Sequence, residues 1–403
     1  MTDSTLPTGA TPESEVPQNV EPETKFKGPE GEASSGGDRL AVATQWQLMW
    51  WRFRKHRIAV ISGIIILSFY LVAIFADFLA YSDPFSTEAQ RSFIPPQGIH
   101  FFDEGRFYPH VLGLDRERDA SFKLIYTPDP ERKIPLQLFG KGYRWGFLGL
   151  FKTDVHLIGI NRQFAAEEGL TNEDAIYLLG TDLLGRDLWS RLMIATRVSM
   201  SIGLVGVALS LFLGILLGGI SGLYGGMIDT VIQRTIEIIR SVPTIPLWMG
   251  LTAALPREWN VLQIYFAITI ILSLIGWTGL AREVRGRFLA LRNEDFVLAA
   301  ELAGAGQMRI IFRHMVPSFL SHIIAATTLA LPAMIISETA LSFLGLGLRP
   351  PAISWGVLLQ DGQTINAIAN TPWLLLVAIP VIVAILAFNF LGDGLRDAAD
   401  PYS

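Results

Sequence analysis

The sequence predicts an all-α polytopic membrane protein: six transmembrane helices, with a small β-rich insertion on the extracytoplasmic side. Three observations carry that prediction. Half of the 403 residues are hydrophobic and the mean hydropathy is +0.39, too apolar for an ordinary soluble domain. The apolar residues gather into runs of about 20, the length that crosses a bilayer as a helix. Arginine concentrates in one of the loops between those runs, the asymmetry that fixes which side faces the cytoplasm.

Composition also excludes several classes. A net charge of −5, with no basic patch interleaved with aromatics, argues against nucleic acid as a partner. There is no cysteine, which removes disulfides, thiol catalysis and cysteine metal sites. The six histidines are scattered without ligand spacing, so no metal site is expected.

Residues 1–45 are rich in Pro, Glu, Gly, Ser and Thr, with Phe26 as the sole aromatic. They cannot bury enough apolar surface to offset the entropy of ordering, and a disordered cytoplasmic tail is expected. Residues 46–78 hold an interfacial collar and the first span. In WQLMWWRFRKHR (46–57) three tryptophans sit beside Arg52, Arg54, Lys55 and Arg57, indoles at headgroup depth with basic groups on the anionic leaflet. The span at 58–78 is expected to stay as an anchor, because no small-residue cleavage site follows it.

Residues 79–198 form a long polar extracytoplasmic stretch. Inside it, 99–178 carries aromatics and turn residues in short runs (FFDEGRFYP, PLQLFGKGYRWGF, VHLIGI) that predict strands and hairpins. This element either contacts a partner at the outer face or is a decoration. In the run Leu179–Asp187 that follows, Thr181 or Asp182 is expected to cap a helix, Gly185 to turn the chain and Arg197 to close the approach to the membrane.

The core of five further spans covers 199–392. The second span, 199–223, repeats Gly214, Gly218 and Gly222 every four residues, a close-packing face that fits a homodimer contact or an internal seam. The third, 232–254, is the least regular, with Glu237 and Arg240 placed to pair and Pro243 and Pro246 marking a kink or a helix start. The fourth span is 260–281. The loop 282–316 then holds Arg282, Arg285, Arg287, Arg292, Arg309 and Arg313, whereas 343–371 holds only Arg349. The arginine-rich loop is therefore cytoplasmic, as is the collar four crossings before it, which puts both termini inside.

The loop's centre is DFVLAAELAGAGQMRIIFRHMVP, 295–317. Ala299, Ala300, Ala303 and Gly304 fall at helical neighbour spacings, where small side chains let a partner's backbone approach. Gly304 and Gly306 break the helix, Arg309 and Arg313 form a cationic i,i+4 face, and Pro317 opens the next apolar run. The fifth span, 317–341, contains His322, expected to pack, and Glu338. Glu338 with Ser342 either lines an outer mouth or caps the following glycine- and proline-rich turn as a buried carboxylate. The sixth span is 372–392, and 393–403 is a cytoplasmic tail.

The frame Leu298-Ala299-Ala300, Gly304, His314-Met315-Val316-Pro317 resembles the EAA loop of ABC-importer permeases, with Leu298 standing for the glutamate and His314 for an aliphatic residue. Three further runs are similar to the oligopeptide/dipeptide/nickel branch of those permeases. They are LGTDxLGRDxxSR at 179–191, ExxLSFLGLG at 338–347 with Ser354-Trp355-Gly356 after it, and NxxGDxLRDxxDP at 389–401. The resemblance covers about 45–98 and 178–401. It implies the type I ABC-importer permease fold in the cytoplasmic (inner) membrane, with no catalytic residue, metal or cofactor on this chain. Implied partners are membrane lipid, a second permease subunit as heterodimer, two ATP-binding cassette ATPases and an extracytoplasmic solute-binding protein. ATP and Mg belong to the ATPases, consistent with the lack of a GxxxxGK[ST] phosphate loop here. The resemblance makes Leu298, Ala299, Ala300, Ala303, Gly304, Arg309, Arg313 and Pro317 the ATPase-coupling loop. Its implied cargo is di- and oligopeptides, with oligosaccharides, nickel or peptide antibiotics as alternatives. The residues alone leave another class open, an ion-coupled secondary transporter using Glu237 and Glu338.

Overall fold

The computed structural model describes residues 45–118, 124–147, 151–256 and 258–399; the expected tail over 1–45, except its last residue, and the closing Asp400-Pro401 lie outside them. The chain starts with α1 (Gln45–Lys55), which carries the basic collar, and restarts at His56. The His56 Nδ1 accepts the Ala59 N–H at 3.1 Å and caps α2 (Arg57–Ile74). Along α2, Ile61, Ile64, Leu67, Leu71 and Ile74 are exposed apolar side chains, while Ala59, Ser62, Ile66 and Ala73 are buried. An 18-residue helix with an apolar solvent-facing stripe is a membrane span whose stripe meets lipid.

The expected β-rich insertion is a four-stranded antiparallel meander, β1 (His100–Asp103), β2 (Arg106–Arg118), β3 (Leu124–Phe147) and β4 (Phe151–Ile160), in that order across the sheet. Val111, Ile134, Leu136 and Ile160 form its apolar core with Tyr81, Ala175 and Ile176. The insertion is thereby seated on the chain that flanks it.

The second span is α3 (Leu188–Tyr224), at 37 residues the longest helix. Its glycines form an internal seam. A Cβ on Gly218 would stand 2.5 Å from the Ala281 carbonyl oxygen, and one on Gly222 the same distance from Phe288 Cβ. Only hydrogen fits, and the fourth span therefore lies directly against the second. The third predicted span is two helices, α4 (Gly226–Ser241) and α5 (Thr244–Ala253), separated at Val242-Pro243. Pro243 lacks the N–H that would carry α4 onward, and neither piece reaches 18 residues. Five helices, not six, are long and apolar enough to span among the described residues.

The fourth span, α6 (Val261–Leu291), continues ten residues past the expected 281, so Arg282, Arg285 and Arg287 extend a helix instead of opening a loop. Arg285 meets the carboxylate of Asp229 on α4 through two nitrogens, at 2.5 and 2.6 Å. That bidentate pair holds the Asp229 carboxyl below its ordinary range. After α7 (Asp295–Leu302) and a π-helical turn (Ile310–Met315) come α8 (Leu320–Phe343), α9 (Trp355–Asp361) and a 3₁₀ turn (Pro372–Val377) leading into α10 (Ala378–Ala399). Trp355, Leu358, Phe388 and Ile335 share one core with Leu188, Leu192 and Met200 of α3.

Candidate functional site

The arginine-rich loop after α6 is built on α7. Val297 and Ala300 point inward, into a cluster with Val284 and Phe288 of α6 and with Ile310, Ile311 and Met315 of the π turn. α7 ends in a Schellman motif: Gly304 N–H donates to Glu301 O at 2.9 Å and Ala305 N–H to Ala300 O at 3.0 Å. This requires the left-handed backbone that Gly304 adopts, at φ 77°. In the π turn the Val316 N–H donates to Ile311 O, five residues back. The turn takes up the extra residue just before Pro317, which has no N–H to give.

With one face anchored, α7 leaves the other uncovered. Phe296, Leu298, Leu302, Met308 and Phe312 are all exposed, Leu302 at 90%, and Ala299, Ala303, Arg309 and Arg313 are exposed among them. Of the four small residues singled out by spacing, Ala300 faces the interior and Ala299, Ala303 and Gly304 face out. Leu298 stands on the open face, where the resembling loops place glutamate. Pro317 is exposed at the loop's end. These are apolar side chains left exposed on a segment that otherwise carries charged residues.

At the outer end of the core the charged residues are closed in. Asp182 is 1% exposed. Its Oδ1 accepts the N–H groups of Leu184 and Arg186, at 2.8 and 3.1 Å, and its Oδ2 accepts Arg186 Nε at 2.7 Å and Arg191 Nη1. The Asp361 carboxylate at the end of α9 approaches the same Arg191 at 3.3 Å. Burial pushes that carboxyl up, against the pull of Arg191. The helix cap expected at Thr181 or Asp182 is instead Asp187, whose Oδ2 accepts the Ser190 N–H at 2.7 Å. Thr181 bonds across to Arg91 O and Ile94 N–H. Asp187 also accepts the Tyr81 hydroxyl at 2.7 Å. Burial, opposed by these bonds, raises its carboxyl to about 6. Gly185 makes the expected turn at φ 74°, and Arg197 pairs with Asp77 at 2.7 Å.

Glu338 and Ser342 do not line an open mouth: both are fully buried. Ser342 Oγ donates to Glu338 Oε1 at 2.9 Å and accepts the Leu348 N–H. Ser199 Oγ donates to Oε2 at 3.1 Å and accepts the Trp355 N–H. Two serines thus relay one carboxylate to two backbone donors, pinning the turn after α8 to α3. Glu237 is exposed and pairs with Arg234 at 2.6 Å, one turn back, not with Arg240. His322 is also no interior packing residue. It is partly exposed, with Nε2 3.3 Å from Glu283 of α6.

Beside that pair lies a cavity of about 210 Å³ between α3, α6 and α8, lined by Ser210, Gly276, Gly279, Glu283 and Thr327 among others. The Thr327 hydroxyl is buried without a hydrogen-bond partner. Sequence reading missed this place because its polar groups are single residues on three separate spans. No motif joins them.

A family model described as binding-protein-dependent transport system inner membrane component matches residues 214–402. A second, the N-terminal TM domain of oligopeptide transport permease C, matches 44–96. The chain is 39% identical over 223 residues to the oligopeptide transport system permease protein OppC of Bacillus subtilis, covering 55% of this chain and 70% of that one. It is 33% identical over 301 residues to the dipeptide transport system permease protein DppC of Bacillus subtilis, covering 72% and 92%. A DppC from Lactococcus lactis is 30% identical over 385 residues, covering 95% and 98%.

Proposed function

The chain belongs to the family of binding-protein-dependent transport inner membrane components, in its OppC/DppC-type branch, and we propose that it carries di- and oligopeptides inward as one of two permease subunits of an ABC importer. Like its family it is a permease and not itself an ATPase. The peptide assignment rests on the names its relatives carry. The partner set we propose is a second, different permease subunit, two ATPases that use ATP and Mg, and a solute-binding protein on the outer side. In this reading α4 and α5 together make the remaining crossing, which keeps both termini cytoplasmic, on the strength of the arginine-rich segment from Arg282 to Arg313.

The observation that carries the mechanism is the open apolar face of α7, fixed by Val297, Ala300 and the Schellman turn at Gly304. A rigid helix standing on the permease core transmits a push or pull, whereas a loose loop would absorb it. Closure of the ATPases on ATP moves α7, and the two permease halves rock to open the path outward to a loaded binding protein. Work is done only if α7 is held more tightly in one state than in the other. An ion-coupled carrier has less support: Glu237 is an exposed surface pair and Glu338 has its oxygens occupied by serines.

The test is to purify the C-terminally tagged chain gently from its native membrane and weigh the intact complex. The expected result is a second permease, two ATPases and a binding protein loaded with peptides. An oligosaccharide in that binding protein would overturn the cargo, and a chain that purifies alone or as a homo-oligomer would overturn the importer reading.

A further inference from the structure

The hairpin formed by β3 and β4 is oddly apolar for an element outside the membrane. Near its tip Phe151 is 70% exposed and Phe147 is partly exposed, beside Trp145. The hairpin also has a fixed relation to the first span. The Phe147 ring stacks on Phe75, centroids 5.8 Å apart and 21° between planes. Further along the strand, Phe139 lies 6.0 Å from Phe78. Phe75 directly follows α2 and continues its exposed stripe through Leu71 and Ile74. The lipid-facing surface of the first span thus runs without interruption onto the hairpin.

Polar partners set the level. Arg197 and Asp77 pair at 2.7 Å beside Phe75 and Phe78, and His156 of β4 bonds the Asp77 carbonyl at 3.0 Å. This is chemistry of the headgroup layer, where a span leaves hydrocarbon. Arg144 and Lys152 are exposed on the two strands next to the aromatic residues, as cations suited to lipid phosphate. Trp145 donates its Nε1–H to Val155 O at 3.1 Å, so the ring is held in place and its apolar body is presented at little further entropy cost.

From this continuity we infer that the β3–β4 hairpin is a membrane-dipping element: Trp145, Phe147 and Phe151 enter the outer leaflet beside α2, and the occupant of this surface is lipid. The insertion is then more than a soluble cap. It is tied to the bilayer at one edge, which fixes the orientation of the sheet over the outer face. The inference uses α2 as a span and is independent of cargo.

Since the chain has no cysteine, a single nitroxide can be placed on it, with the unsubstituted complex taken through the same labelling as the background. The complex carrying Phe151→Cys is reconstituted in phosphatidylcholine–phosphatidylglycerol nanodiscs, and collisions with oxygen and with a water-soluble nickel chelate are compared by electron paramagnetic resonance. Leu71→Cys on the lipid stripe and Phe102→Cys on the β1–β2 hairpin, 69% exposed, are the references. The label at 151 should behave as at 71, favouring oxygen and losing nickel accessibility, while 102 stays open to nickel. Nickel accessibility at 151 equal to that at 102 would overturn the inference, as would protection at 151 from both reagents, which would mean that protein covers it. The unaltered complex, reacted with a phospholipid bearing a diazirine in its acyl chain, gives a readout free of substitutions. Adducts on Phe147 or Phe151 are expected, and adducts on Leu71 without them would contradict the hairpin's insertion.

Discussion

The stretch from Asp182 to Arg191 and the stretch from Asp295 to Arg313 are both charged, both broken by glycine and both set beside a span, yet they end differently. In the outer stretch Asp182 satisfies two backbone donors and two guanidiniums, Asp187 caps α3, and the side chain of Arg191 is 1% exposed. In the second stretch one face is equally well packed, but Leu302, Leu298, Phe296, Met308 and Phe312 stay uncovered. The first stretch uses its chemistry on its own fold; the second leaves an apolar surface open, which in the proposed function a partner covers. Both carry strong family resemblance, so resemblance by itself does not tell a fold signature from a working surface. Burial does.

The largest effect is expected at Gly304. In Gly304→Arg the left-handed backbone becomes strained, and a long cation stands in open space where a Cβ meets nothing within 4 Å. ATPase should be lost from the purified complex and uptake abolished, while the second permease stays bound. Arg191→Ala should do the reverse. It takes from the buried Asp182 carboxylate one of its two guanidinium partners, at a cost of up to about 3–5 kcal/mol. The detergent-solubilised complex should unfold at a clearly lower temperature.

Asp187 sharpens the outer half through pH. Its carboxyl is raised to about 6 in the fold, against about 3.9 in an unfolded chain. Ionising it therefore costs the fold stability, which this group restores as pH falls from above 6 towards 4. The span of that effect is about 3 kcal/mol at 1.36 kcal/mol per unit. Asp187→Asn should be more stable than the parent at pH 8 and lose most of the gain on acidification, as read from thermal melts at pH 8 and 4. A smaller loss, about 1–3 kcal/mol, is expected for Gly218→Val, where a side chain would strike the Ala281 carbonyl; the melt reads this too. Least of all should come from Glu237→Gln. Its pair with Arg234 is exposed, and such pairs contribute about 0–1 kcal/mol. Unchanged uptake across an ion gradient in that variant would also count against an ion-coupled carrier.

Much of this was legible in the sequence where a single physical variable decides. Run length located the five long spans to within a few residues at most ends, although α3 begins 11 residues before the expected 199. Aromatics alternating with turn residues placed the strands between His100 and Ile160. What escaped was decided by neighbours distant in sequence. Asp182 and Asp187 are equivalent as helix caps by local rules; Arg186, Arg191 and Asp361 claim the first and leave the second for α3. Ala299 and Ala300 are alike until Val297 finds the cluster around Phe288, which turns Ala300 inward. The paired glycines could not distinguish a dimer face from a seam before Ala281 and Phe288 were placed against them.

In the proposed function an ATPase subunit sits on the open face of α7. Leu302, the most exposed side chain there, can be replaced by the chain's sole cysteine, carrying a short photoactivatable crosslinker, and the adduct identified by mass in the intact complex. A crosslink to an ATPase subunit is expected, with a yield that changes when ATP is bound and hydrolysis blocked. A crosslink to the second permease or to lipid, with none to an ATPase, would contradict it.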